Sequence, residues 1–477
     1  MSPSSARFLG IDLGTGSLKL AVVDERGVER AAASAAYGFE TPQPGWAEIA
    51  VERWWDALRE AAAQLPADER AAVRAIGLSG QMHGVVLTDT AGQALRPALL
   101  WPDTRALALL DAWPQPQPNP VSPGMAGPLL RWVARHEPAV AAAARYALQP
   151  KDWLRVALGG AALADPSDAC ATALAAPDGE WDHALIARLG LPSHWFVPLA
   201  PSFGQAGALS IEAAEALRLP PGIAIATGAG DTPCAALGSG LADEGDALLT
   251  TGSGGQIVVT SRGEPVAVRG LHRYRAATGH WYTMAAMQNV GVALEAARGW
   301  LSYDWRGAYD DAFAAEPSAT LAFLPYLSGE RSPWLDPAAR GGWLGAGLGD
   351  TRGTLMRAAF EGVAFALRAG LDAIRAGGVD VTTLKLAGGG SVDPRWRQLL
   401  ADALDVELYA LDCPNAAARG AALLGGLACG HWRSGDLAAL APASSPVALP
   451  SRDAALARRY ARFIDLYGRV RSWFAAA

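Results

Sequence analysis

Lysine is scarce in this chain. Of 477 residues only Lys19, Lys151 and Lys385 are lysine, and none of them follows a glycine. The G-x-x-x-x-G-K-[ST] phosphate loop is therefore absent, and any nucleotide phosphate must be held by another fold. Cysteine is equally sparse. Cys170, Cys234, Cys413 and Cys429 lie far apart and form no C-x-x-C pair, which argues against a zinc site or a disulfide framework and suits reduced thiols. No basic block offsets the formal net charge of −7, so nucleic acid and anionic membrane surfaces are poor partners. No run of about 18 uncharged apolar residues is present, so no spanning helix is expected. Met1 to Arg7 lacks the basic start and apolar stretch of a signal peptide. The histidines show no H-E-x-x-H or other metal spacing. A cytoplasmic protein is the expectation.

Apolar residues make up 51% of the chain, enough for large cores, and the length suggests two to four domains. Near mid-chain, Ile223-Ala224-Ile225-Ala226 reads as a buried strand running into Gly228-Ala229-Gly230-Asp231-Thr232. Glycines let the backbone turn sharply there, and the turn ends on one carboxylate at a strand end. Asp231 is thus a candidate general base. Phe8 to Ile11 and Leu18 to Val23 read as two strands around Asp12-Leu13-Gly14-Thr15-Gly16-Ser17. Its glycines are either plain turn residues or part of a cradle in which amides and hydroxyls meet a phosphate. Ala247 to Thr260 repeats the pattern around Thr251-Gly252-Ser253-Gly254-Gly255. Two such tips, one in each half, suggest a duplicated fold.

Other segments carry less. Ser79-Gly80-Gln81-Met82-His83-Gly84 is a polar loop between strand-like runs; with Asp103 it supplies the donors and acceptors that a polyol needs, although a lone histidine is often structural. Gly45 to Leu65 has helical spacing after Glu48, Leu129 to Ala144 reads as helical, and Trp113 to Pro128 reads as a loop. Thr383 to Leu386 is a strand leading into Ala387-Gly388-Gly389-Gly390-Ser391, after which Asp393 caps a helix opened by Pro394. Asn415 to Cys429 is a helix of small residues suited to close packing. Ala441 to Pro450 reads as a linker before a closing helix from Arg452 to Phe474.

Taken in order, GIDLGTGSLK at 10–19, GWAE and WW at 45–55, GQMHG at 80–84, WPDTR at 101–105, PKDWLR at 150–155, GAGDT at 228–232, TGSGG at 251–255, FLPYLSGERSP at 323–333 and AGGGSVDPRWRQLLAD at 387–402 resemble the FGGY carbohydrate kinases over nearly the whole chain. GQMHG and PKDWLR point towards the xylulose-phosphorylating members. The resemblance implies an α/β fold of two ribonuclease-H-like domains of the actin, hexokinase and sugar-kinase superfamily flanking a cleft. They would span 1–235, with the sugar site and first phosphate hairpin, and 236–477, with most of the ATP site.

By the same resemblance, Asp231 is the catalytic base and Asp12 organises Mg²⁺ through water. Gln81, Met82, His83, Asp103 and Thr232 contact the sugar. Gly14, Thr15 and Ser17 form the first phosphate hairpin and Gly252 and Ser253 the second. Gly291, Gly389 and Gly390 lie on the nucleotide side. The implied reaction is ATP-dependent phosphorylation of a pentulose, D-xylulose first. L-xylulose, ribulose or gluconate are alternatives, as is a non-catalytic sugar- or nucleotide-binding role. Thr232 stands where the family often has an amide, Gly252-Ser253-Gly254 where it has G-T-S or G-T-G, and Pro102 where related kinases have Asn. A homodimer is expected, symmetric dimers being the commonest assembly.

Overall fold

The computed structural model describes residues 6–475 apart from 116, 118 and 391. It divides into two compact units. The first comprises residues up to Ala242, Tyr274–Trp281 and Cys413–Pro442; the second comprises Asp243–Arg273, Tyr282–Asp412 and the residues from Ala443 onward. The chain thus crosses between units more than once, and a single cut at 235/236 does not describe them.

The first unit is built on one mixed sheet. Its strands are β1 (Arg7–Leu13), β2 (Ser17–Asp24), β3 (Glu29–Ala36), β4 (Val73–Gly80), β5 (Gln205–Ala208), β6 (Ala224–Ala226) and β7 (Ala229–Gly230), in the order β3-β2-β1-β4-β6-β5, with β7 also paired to β4. β1 and β2 are an antiparallel hairpin, whereas β4 runs parallel to β1, and β6 and β7 run parallel to β4. Alternation along β1 and β2 sends Leu9, Ile11, Leu13, Leu18, Leu20 and Val22 to one face, where they pack with Trp54, Leu58 and Ala61 of helix α1 (Glu52–Gln64). Ala21 and Val23, on the opposite face, are buried as well, because a late helix covers that side.

That helix is the small-residue segment at Ala416–Ala428. A Cβ on Gly10 of β1 would lie 1.7 Å from the Ala418 carbonyl oxygen, and one on Gly77 of β4 would lie 1.7 Å from that of Ala421. Backbone meets backbone there, which only glycine on the strand side permits. The same helix packs on Asp231–Gly238, where a Cβ on Gly420 would sit 1.9 Å from the Cys234 carbonyl oxygen. Arg419, buried beneath it, donates to the carbonyls of Gly27, Gly238 and Leu440.

The second unit repeats the strand pattern. β8 (Ala247–Thr251) and β9 (Gly255–Ser261) form an antiparallel hairpin next to β10 (Trp281–Met287). β11 (Thr383–Ala387) and β12 (Glu407–Leu411) continue parallel from β8, and β13 (Ser444–Ala448) closes the far edge antiparallel to β12. The order β10-β9-β8-β11-β12-β13 mirrors β3-β2-β1-β4-β6-β5. The duplication suggested by the two glycine-rich tips is present as topology.

Three expectations shift. Residues 444–448 are not a linker but an edge strand that contains Pro446; an edge strand is paired on one side only and so tolerates proline. The helix after Gly45 starts only at Glu52, because Glu48–Ile49 pairs with Ala98–Leu99 as a short two-stranded ribbon. The helix expected over 129–144 is broken by Pro138 into Ala126–His136 and Pro138–Ala143, since proline cannot donate in a helix interior.

Candidate active site

Register in the first sheet brings the chemistry to one end. Asp12 of β1 lies opposite Ser79 of β4, which lies opposite Ala229 of β7; the next row is Leu13, Gly80 and Gly230. Asp231 follows as the first residue of the Asp231–Gly238 helix, with Gly230 as its cap. Two carboxylates therefore emerge at the same sheet end. The Ser79 hydroxyl donates to Asp12 Oδ1 at 2.8 Å. The Thr232 amide donates to Asp231 Oδ1 at 2.6 Å, and its hydroxyl lies 3.3 Å from the same oxygen.

Both carboxylates keep some solvent contact yet sit among enough protein for desolvation to matter. Burial raises the Asp12 carboxyl above its usual range, against the Ser79 bond and the charge of Lys19. Burial first, and the charge of Asp12 second, push Asp231 up to about 6, although the Thr232 bonds pull it down. A carboxylate ionised at neutral pH but shifted towards it is suited to accepting a proton.

The first hairpin tip is braced from behind. The Gly14 amide closes the turn by donating to the Ser17 carbonyl at 3.0 Å. The Gly14 carbonyl accepts from the Tyr37 hydroxyl at 2.5 Å and from Gln81 Nε2 at 3.1 Å. The Thr15 hydroxyl accepts from the Trp101 indole at 2.8 Å and lies 3.4 Å from Gln81 Oε1. Gln81 is only 1% exposed, and its amide is given to the hairpin. Trp101 is 45% exposed beside that tip. Sequence reasoning passed over it; an indole in a motif with a charged neighbour was the available signal.

Met82 is buried against Gly230: a Cβ there would come within 2.7 Å of Met82 Cγ. His83 adopts φ 75°, in the left-handed region that few non-glycine residues occupy. Its Nδ1 lies 2.7 Å from the Ala171 carbonyl oxygen, which can only accept, so Nδ1 carries the proton. Asp103 is placed differently. It is 0% exposed; Oδ2 accepts from the Ala47 amide at 2.7 Å, and both oxygens accept from the Arg105 guanidinium. Arg105 in turn pairs with Glu48 at 2.7 Å and stacks on Trp46 at 3.7 Å. Asp103, expected at the sugar, thus has both oxygens occupied by protein donors.

In the second unit, Gly252 and Ser253 form an exposed tip. The Gly291 amide donates to the Gly252 carbonyl at 3.0 Å, and the Val292 amide to that of Ser253 at 3.1 Å. Gly291 opens the Gly291–Trp300 helix, and a Cβ on it would fall 2.3 Å from the Gly252 oxygen. The loop after β11 lies against the base of the same hairpin, since a Cβ on Gly388 would meet the Thr251 carbonyl oxygen at 2.1 Å. Gly389 and Gly390 are exposed, with no atom within 4 Å of a Cβ on Gly389. Ser391 of this loop lies outside the described residues. Asp393 accepts from the Arg395 amide as the cap of Pro394–Leu404.

Among the described residues no group of three or more His, Cys, Asp or Glu is arranged to hold a metal ion, and no helix is long and apolar enough to cross a membrane.

Comparison with known proteins agrees with this geometry. The N-terminal domain of the FGGY family of carbohydrate kinases matches residues 7–238 and its C-terminal domain residues 252–429. The chain is 35% identical to a xylulose kinase of Klebsiella pneumoniae over 84% of this chain and 85% of the relative. It is 34% identical to one of Escherichia coli K12 over 83% and 84%. A crystal structure described as a xyloylose kinase from Brucella ovis superposes with a TM-score of 0.90 at 32% identity, covering 98% of this chain and 100% of the other. A gluconate kinase from Lactobacillus acidophilus superposes almost as well, with a TM-score of 0.89, at 22% identity over 99% of each chain, so the fold alone does not select a sugar. Two glycine-rich hairpins on duplicated sheets, a carboxylate pair at one sheet end and family matches over most of the sequence have one meaning: the chain belongs to the FGGY family of carbohydrate kinases.

Proposed function

We propose that this carbohydrate kinase transfers the γ-phosphoryl group of ATP to a hydroxyl of a ketopentose, D-xylulose, giving D-xylulose 5-phosphate and ADP. The observation that carries the reading is Asp231: a partly exposed carboxylate at the first turn of a helix, raised to about 6 by burial and by Asp12. The names of the bacterial relatives support the choice of sugar. In the proposed step the 5-hydroxyl oxygen bonds to the γ-phosphorus as the bond to the β–γ bridging oxygen breaks. The hydroxyl proton passes to Asp231, which returns it to solvent. Such a transfer needs positioning and charge neutralisation more than covalent help. Met82, His83 and Thr232 are proposed to orient the sugar. Gly14, Thr15 and Ser17 are proposed to receive phosphate, as are Gly252 and Ser253, with Gly291, Gly389 and Gly390 on the nucleotide side.

The residues present fit a hydrated Mg²⁺, which binds through one or two carboxylates, its own waters and substrate phosphates. Asp12 accepts one side-chain hydrogen bond, from Ser79, and its charge lies close enough to raise Asp231, so a cation relieves like-charge repulsion there. Bound with the nucleotide, the ion would neutralise phosphate charge, and Asp12 would hold its waters. A cytoplasmic setting, where ATP is available, and a homodimer complete the proposal. Coupled ADP release across pentuloses, polyols and aldonates tests it. The highest kcat/KM is expected for D-xylulose, and a tenfold preference for another class overturns the assignment.

A further inference from the structure

Lys151 is one of the three lysines of the chain, and it is 0% exposed. Its Nζ lies 2.6 Å from Asp152 Oδ1, 2.9 Å from Asp165 Oδ1 and 3.4 Å from Asp168 Oδ2. Arg155 adds a 2.7 Å contact to Asp152. All five side chains are completely buried. Removing this many charges from water is costly, and well-packed apolar residues often serve stability as well or better. Three carboxylates face two cations there, and burial drives the Asp168 carboxyl well above its usual range. Stability alone does not account for it; its outward hydrogen bonds do.

Those bonds converge on the turn that delivers Asp231. Arg155 donates to the Thr227 carbonyl at 2.5 Å. Asp165 Oδ2 accepts from the hydroxyls of Ser167 at 2.5 Å and Ser202 at 2.7 Å. The Gly228 amide donates to the Ser202 carbonyl at 2.9 Å, and the Gly230 amide to the Ser167 hydroxyl at 3.2 Å. Gly228 needs this hold, since it sits at φ +88° and a side chain there would strike Leu78. From the other side, Lys151 packs on the end of β4, its Cβ 2.8 Å from where a Cβ on Gly80 would lie.

We infer that Lys151, Asp165 and Ser167 act as positioning residues: a buried ionic clamp fixes three of the four residues from Thr227 to Gly230 and so sets where the Asp231 carboxylate points. The inference rests on Asp231 being the base. The three clamp residues are completely buried, so none is open to a substrate. Their effect reaches the reaction only through the placement of Asp231, and misplacement of a reacting group by about 1 Å can cost roughly 100-fold in rate.

Lys151→Met would leave three carboxylates around an apolar side chain and is expected to fold poorly, so Ser167→Ala is the informative variant. It removes two hydrogen bonds, the one to Asp165 and the one from the Gly230 amide, and no charge. The Ser167→Ala enzyme should lose about 10-fold in kcat, with KM for sugar and for ATP each within about twofold. The same substitution placed in an Asp231→Asn background should change the residual kcat by less than about twofold, because the group it positions is gone. An equal loss of kcat in both backgrounds would show a general structural defect and overturn the clamp, as would unchanged kcat in Ser167→Ala alone. Near-normal turnover of Asp231→Asn by itself would instead sink the base assignment, and the clamp with it.

Discussion

Asp231→Asn separates what the carboxylate does for chemistry from what it costs the fold. Asparagine keeps an oxygen that can accept the Thr232 amide bond and nearly the same volume, so the helix start at Asp231 should survive. Raising a carboxyl from 3.8 to about 6 disfavours its charged form by roughly 3 kcal/mol at neutral pH. Asp231 keeps part of its surface in water, which screens the penalty, and about 1–2 kcal/mol is the working figure. The sign follows from proton counting. Between the unfolded value near 3.8 and the folded value near 6, the native state holds more protons than the unfolded chain, so this group's contribution to stability is fully present below pH 3.8 and lost as pH rises through 6. The variant has no such group. It should match the parent near pH 4 and be more stable by about 1–2 kcal/mol at pH 7, while kcat drops roughly 10²- to 10⁴-fold. Denaturation curves of both proteins at several pH values, with steady-state kinetics at each, read the two effects together. The parent's kcat/KM should also fall below about pH 6 as Asp231 gains its proton. A variant less stable than the parent at pH 7, or one turning over normally, would refute the reasoning.

Four further substitutions probe the surroundings. Asp103→Asn breaks a fully buried pair with Arg105 and should cost about 3–5 kcal/mol, seen as a lowered Tm, while KM for the sugar stays within twofold; a raised KM at unchanged Tm would return Asp103 to the sugar. Gly291→Ala forces a Cβ to within 2.3 Å of the Gly252 oxygen, so KM for ATP should rise several-fold with that for sugar unchanged, whereas Gly389→Ala, in open space, should leave Tm alone and report ligand contact directly in KM for ATP. Gly77→Ala collides with the Ala421 carbonyl at 1.7 Å and should destabilise by more than about 3 kcal/mol; a Tm near that of the parent would mean the helix at Ala416–Ala428 is free to shift.

The contrast between these positions explains what could be read from sequence. The hairpins of residues 7–24 and 247–261, the helix start at Pro394 and the strand running into Asp231 were legible because each is local: alternation, a glycine-rich turn or a capping residue lies within a dozen positions of what it controls. The small residues of 416–428 announced close packing but not its partner, since Gly10 and Ala418 are separated by almost the whole chain and meet only through topology. The edge strand at Ser444–Ala448 was hidden for a related reason: its pairing with Glu407–Leu411 compensates for a polar, proline-containing segment. Carboxylates show the limit most sharply. Asp12, Asp103, Asp165 and Asp231 look alike as letters in polar motifs. They differ in what reaches them: one side-chain donor, Ser79, at Asp12; the Thr232 amide and hydroxyl at Asp231; the Arg105 fork with two amides at Asp103; two hydroxyls and an amide, beside the charge of Lys151, at Asp165. A carboxylate whose oxygens are already paired has little left with which to bind a ligand or take a proton, and its loss is felt as instability. One with acceptor capacity to spare is costly to fold around and useful for chemistry. Spacing in a motif cannot make that distinction, because the donors at Asp103 and Asp165 arrive partly from residues tens of positions away.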